Sequence, residues 1–276
     1  MTPEAKPDYS VRPFAGLPSE GDWVALREVV PAATATARLN AEHGGAAIEV
    51  TTLLPEIRPA WKRADGTPVL ALQSTFSSED PGLDLGQALE LAIAAEPGSE
   101  VKAIDPGRAS ARLQDLLDLN EAFVVTVQPG FDYWADLNPE LAETLEPVIK
   151  QASDAIVPSA AVPEVASAYW TKLNGRPFVR WSLGVDEPTL LDGLARLQAK
   201  RQAGVVDGAK YAGAFRALGL IIPVWELPAG TEAADLTQPL TAYRELLDAA
   251  LANRVGLTVA ERRARAGLVA RSVTLR

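Results

Sequence analysis

The chain has 276 residues, 47% of them hydrophobic and 22% charged, with a net charge of −10 at pH 7; this describes a packed globular protein of one or two domains, too apolar for disorder. It contains no cysteine and a single histidine, His43, which excludes disulfides, thiol nucleophiles, cysteine-ligated zinc and multi-histidine metal cages. The acidic balance argues against non-specific nucleic-acid binding. No apolar run approaches the roughly 20 residues of a membrane span, and the first residues lack the apolar core of a signal peptide, so the expected location is the cytoplasm.

Residues 1–18 are rich in proline and glycine and read as an extended lead. Asp22 is a candidate N-cap for a helix that carries Trp23, Leu26 and Val30 on one face and stops at Pro31. Residues 34–39 and 48–54 then form a hairpin around Glu42-His43-Gly44-Gly45. At its tip His43 is either exposed or the one imidazole available as a base. Next comes Trp61-Lys62-Arg63-Ala64-Asp65-Gly66-Thr67-Pro68-Val69-Leu70-Ala71-Leu72-Gln73, which recurs in outline as Trp170-Thr171-Lys172-Leu173-Asn174-Gly175-Arg176-Pro177-Phe178-Val179-Arg180-Trp181-Ser182. Asp-Gly and Asn-Gly favour tight hairpin turns, and a helical pattern follows each copy, at 83–95 and 188–202. The two are a duplicated unit or a coincidence of two hairpins.

Glu79, Asp80 and Asp84 precede or open the first of those helices; they suit the positive end of its dipole, and would bind Mg²⁺ only beside a further carboxylate. A short strand at 101–104, a short helix carrying Leu113, Leu116 and Leu117, and a buried strand at 123–127 complete a sheet with helices against it. The strand leads into Phe131-Asp132-Tyr133-Trp134, three aromatics that form either a core plug or a recognition surface beyond a strand end. A helix at 139–152, interrupted by Pro147, leads to a linker at 157–165.

In the second hairpin, alternation places Phe178, Arg180 and Ser182 on one strand face and Val179, Trp181 and Leu183 on the other. If the Val179 face is core, Arg180 is at least partly exposed or paired with an acid. A strand pair at 211–227 turns at Gly219, and the longest helical stretch, 232–253, carries Leu236, Leu240, Tyr243, Leu246, Leu247 and Leu251. Thr258 and Glu261 form a capping box. The last helix is rich in arginine, with Arg262, Arg263 and Arg265, and residues 272–275 form a possible edge strand. The expected fold is mixed α+β: residues 1–30 as lead and helix, 31–156 as a first unit, 157–165 as linker and 166–276 as a second, related unit, each with a tryptophan hairpin followed by a helix.

No P-loop, GxGxxG or GxSxG pattern occurs, and no cofactor is expected. Four stretches carry a family resemblance: Asp22-Trp23-Val24-Ala25-Leu26-Arg27-Glu28-Val29-Val30-Pro31-Ala32-Ala33-Thr34, Arg112-Leu113-Gln114-Asp115-Leu116-Leu117-Asp118, Pro223-Val224-Trp225-Glu226-Leu227-Pro228 and Glu261-Arg262-Arg263-Ala264-Arg265-Ala266-Gly267-Leu268. The chain resembles an uncharacterised actinobacterial family whose members often carry an N-terminal zinc motif like that of the translocation ATPase SecA. Without cysteine this chain lacks that motif, and no metal or partner carries over from it. The order of turn, strand, Phe76-Ser77-Ser78, helix, Asp115-Leu116-Leu117, strand and Gln128-Pro129-Gly130 also resembles the N-terminal domain of SseB-type proteins, a family without a settled biochemical activity. The expected function is non-catalytic binding or regulation, with a small molecule or a protein as partner and no membrane or nucleic acid. The alternative is a carboxylate-based, Mg²⁺-dependent hydrolase or transferase. The candidate ligand-binding residues are Phe131, Tyr133, Trp134 and Arg180.

Overall fold

The computed structural model describes residues 11–75, 78–105, 108 and 111–274. Phe76, Ser77 and Leu275, part of the expected loop and edge strand, lie outside the described residues. The chain is mixed α+β and divides into two compact units, residues 1–156 and 157–276, each with a six-stranded sheet.

In the first unit, helix α1 spans Glu20–Glu28. It starts earlier than the sequence suggests: Ser19 is the N-cap, in a left-handed conformation without a side-chain bond, and Asp22 lies buried in the first turn. Trp23 is core, stacked on Phe123 at 4.1 Å with its Nε1 donating to the Pro18 carbonyl. Strands β1 (Ala33–Arg38) and β2 (Ala47–Thr51) form the first hairpin, and β3 (Ala60–Lys62) and β4 (Pro68–Ala71) the tryptophan hairpin. Helix α2 (Pro81–Ala94) is capped by Asp80, which accepts from the Gly82 and Leu83 amides and pairs bidentately with Arg112. Strand β5 (Glu100–Val101), helix α3 (Leu113–Leu116) and β6 (Val124–Val127) follow, and the sheet order is β5-β3-β4-β2-β1-β6, with only β2 and β4 parallel. The expectation of a buried strand at 123–127 is corrected here. β6 is an edge strand, and Val124, paired with the exposed Thr36, lies on the solvent-facing side of the sheet and is 61% exposed.

Helix α4 (Ala142–Asp154) continues through Pro147, which ends no helix but forfeits one backbone bond.

In the second unit, β7 (Ser159–Ala161) lies within the expected linker and pairs with β8 (Ala168–Leu173). β8 turns at Asn174-Gly175, both at positive φ as a type I′ turn requires, into β9 (Arg176–Trp181). Helix α5 (Glu187–Ala199), strands β10 (Lys210–Ala217) and β11 (Leu220–Glu226), helices α6 (Thr237–Ala252) and α7 (Val259–Val269), and β12 (Ser272–Thr274) complete it. Of the expected stripe on α6, Leu240, Tyr243 and Leu247 are buried while Leu246 is 46% exposed. The Thr258–Glu261 capping box opens α7. The sheet order is β12-β10-β11-β9-β8-β7, with only β10 and β12 parallel.

The two tryptophan hairpins hold the same rank in their sheets, the first strand second from an edge, and a helix follows each. Beyond the hairpin the sheets differ: β2 runs parallel to β4, whereas β11 runs antiparallel to β9.

Candidate ligand-binding site

The second sheet presents one face to its helices and forms a hollow on the other. Trp170, Val179, Trp181, Ala214, Ile221 and Trp225 point into one core with Leu190 and Leu194 of α5, Leu240 and Tyr243 of α6 and Leu268 of α7. By the two-residue alternation of strands, their neighbours point the other way. Register then brings these neighbours side by side: Arg180 lies between Tyr169 and Val224, and Phe178 beside Thr171. Val224 in turn pairs with Gly213, and Phe215 lies between Ile222 and Val273.

The hollow measures about 270 Å³ and crosses five strands, lined chiefly by Phe178, Arg180, Phe215, Val224, Arg271 and Val273. A β-bulge between Tyr211 and Gly213 shapes its floor. Gly213 is required there, since a Cβ at this position would lie 2.4 Å from the Arg271 carbonyl oxygen. The lining also includes Thr171, whose hydroxyl is engaged, donating to the Pro158 carbonyl and accepting from Ser159. No acid is among the lining residues, so the hollow offers a charge and apolar walls but no general base.

Arg180 is the unusual member. It is partly exposed, as its strand face requires, but its Nε is enclosed and, among the described residues, the guanidinium donates no hydrogen bond and meets no carboxylate. Burial alone pushes its pKa down to about 10. Arg271 differs, because its Nη1 donates to the Tyr211 carbonyl at 3.1 Å and its Nε to that of Gly267 at 3.3 Å. The nearest acid by register, Glu226 opposite Phe178, is tied to Arg176 at 3.1 Å.

Phe131, Tyr133 and Trp134 gather in the first unit instead of presenting a surface. A 3-10 turn at Asp132–Asp136 follows Phe131, and the rings of Phe131 and Trp134, 4% and 3% exposed, stack at 4.6 Å among Leu54, Trp61, Val69 and Ile149. The Tyr133 hydroxyl and the Trp134 Nε1 both donate to the Leu53 carbonyl, at 3.0 and 2.8 Å. Burial raises the Tyr133 pKa.

The other sequence candidates have local roles. His43 is exposed, its Nδ1 2.9 Å from the Asn40 side chain. Asp80 caps α2, and Asp84 accepts from the Ser78 amide at 2.7 Å. Among the described residues no three histidine, cysteine, aspartate or glutamate side chains come together as a metal site. Arg265 pairs with Asp192 and Arg262 donates to the Leu257 carbonyl.

Alternation alone made Arg180 visible as the outward charge of its strand. Phe215, Val224, Arg271 and Val273 join it only through the order of strands, for which the sequence carries no local signal.

Comparison with curated proteins and with solved structures gives no significant match. A family model described as a family of unknown function (DUF5926) matches residues 13–276, nearly the whole chain, and the chain therefore belongs to that family.

Proposed function

We propose that the chain is a non-catalytic binding protein whose second unit holds a small, largely apolar molecule on the sheet face opposite its helices. The observation that carries this reading is the hollow itself: aromatic and aliphatic walls around a half-buried cation, Arg180, whose enclosed Nε has no hydrogen-bond partner among the described residues. Ligand sites commonly combine apolar walls with a few placed polar groups. The alternative, a carboxylate-based hydrolase or transferase, finds no acid in this lining. We also read the two tryptophan hairpins as copies of one hairpin-and-helix element, a reading supported by their equal rank in the two sheets. It extends no further than that element, because the next strand runs in opposite senses in the two units.

The test is a titration of the full chain, labelled with ¹⁵N, with the neutral probe 1-octanol. The expected result is saturable shifts concentrated at the amides of Phe178, Phe215 and Val224. Shifts that fail to saturate, or that scatter over both units, would refute the reading.

A further inference from the structure

Resting on that reading, we propose that the ligand is an apolar monocarboxylate whose head group is taken by Arg180. A half-buried guanidinium whose enclosed Nε has no acceptor loses part of its hydration without compensation. The group that would compensate it is an anion, and the chain supplies none: among the described residues Arg180 meets no carboxylate, the lining contains no acid, and Glu226 is committed to Arg176. Arg271 lines the same hollow and spends its hydrogen bonds on neutral carbonyls, so its charge also stays uncompensated there. In a chain of net charge −10, this hollow is therefore locally cationic.

The head and tail of the ligand follow from the same geometry. A planar guanidinium matches the two oxygens of a carboxylate. Polyphosphates are bound by many amides and cations together, whereas here two arginines, of which Arg271 already donates to backbone carbonyls, stand among Phe178, Phe215, Val224, Leu173 and Val273. Those side chains suit a hydrocarbon tail. The volume of 270 Å³ equals the liquid share of about nine water molecules, which is room for a medium-length chain.

Calorimetric titrations of the full chain with octanoate, 1-octanol and acetate test both ends of the proposed ligand. Octanoate is expected to bind at least tenfold more tightly than 1-octanol, with acetate weaker than octanoate because it lacks the tail. Arg180→Met should remove the preference for octanoate over 1-octanol, while Arg180→Lys, which keeps the charge and loses the planar fork, should retain part of it. Equal binding of octanoate and 1-octanol by the unaltered chain would overturn the carboxylate assignment and leave the binding reading standing. Binding of neither would overturn both. The comparison of probes on the unaltered chain needs no variant to fold.

Discussion

At the scale of single residues, the second core contains two tyrosines whose hydroxyls find no hydrogen-bond partner among the described residues, Tyr211 and Tyr243. Both pack edge-on against Trp225, with ring centroids 5.9 and 5.7 Å away. Burial pushes the Tyr211 pKa up to about 12, partly offset by Arg271 and Arg216, and raises that of Tyr243 further still. A phenol ionises near 10 in the unfolded chain, so above that pH the unfolded state loses these protons first and holds fewer than the folded state. Stability contributed by the neutral phenols is therefore fully present below about pH 10 and lost as pH rises towards 12. Arg180 acts in the opposite sense: its depressed folded pKa of about 10 makes the unfolded state the better proton binder above that pH. The informative quantity is thus a difference between two proteins, in which Arg180 cancels. Urea unfolding at pH 8 and pH 11 should show a smaller alkaline loss for Tyr243→Phe than for the unaltered chain. At pH 8 the two should agree within about 1 kcal/mol, since the hydroxyl removed has no partner. An unchanged alkaline loss in the variant would refute the tyrosine assignment.

At the scale of elements, what was legible in the sequence carried its signal locally. β-Branched and apolar runs marked β1 and β2, alternation sorted the two faces of β9, Asn174-Gly175 marked a turn by its tolerance of positive φ, and Thr258 with Glu261 marked the start of α7. Strand order has no such signal, so the edge position of β6 and the pairing of β7 inside an expected linker had to come from the folded chain. The same limit hid most of the hollow, which needs β12, β10, β11 and β9 to lie side by side. The aromatic run at 131–134 shows a different limit. Its spacing suggests no α-helix, yet the 3-10 turn there eclipses positions three apart, and that geometry puts Phe131 and Trp134 on one inward side. Trp134 stacks on Phe131, and its indole donates to the Leu53 carbonyl. Trp134→Ala is accordingly expected to cost about 3–5 kcal/mol, the range for truncating a buried aromatic. Chemical denaturation reads this directly, and a loss below about 1 kcal/mol, typical of a surface position, would show that the turn does not plug the first unit.

At the scale of the whole molecule, the core between the second sheet and its helices is built, among the described residues, within the second unit. Its sheet is built from β7 to β12, and the cluster joining Trp170, Trp181 and Trp225 to α5, α6 and α7 draws only on residues of that unit. Residues 157–276 are therefore expected to fold alone with a cooperative transition, and to retain octanoate binding, because the lining from Thr171 to Val273 lies inside that range. Where the fragment begins decides how stable it is. Starting at residue 166 removes β7, which pairs Ser159, Ala160 and Ala161 with Thr171, Trp170 and Tyr169, and it removes Val162, 2% exposed within the core. It also takes away the Pro158 carbonyl and the Ser159 hydroxyl that satisfy the buried Thr171 hydroxyl. One buried valine and the hydrogen bonds around Thr171 together amount to about 2–4 kcal/mol. Urea unfolding of the two fragments, followed by tryptophan fluorescence, should separate them by that margin in favour of the longer one. Equal stability would show that β7 is dispensable to the second sheet, and a longer fragment without a cooperative transition would show that the second unit cannot stand on its own core.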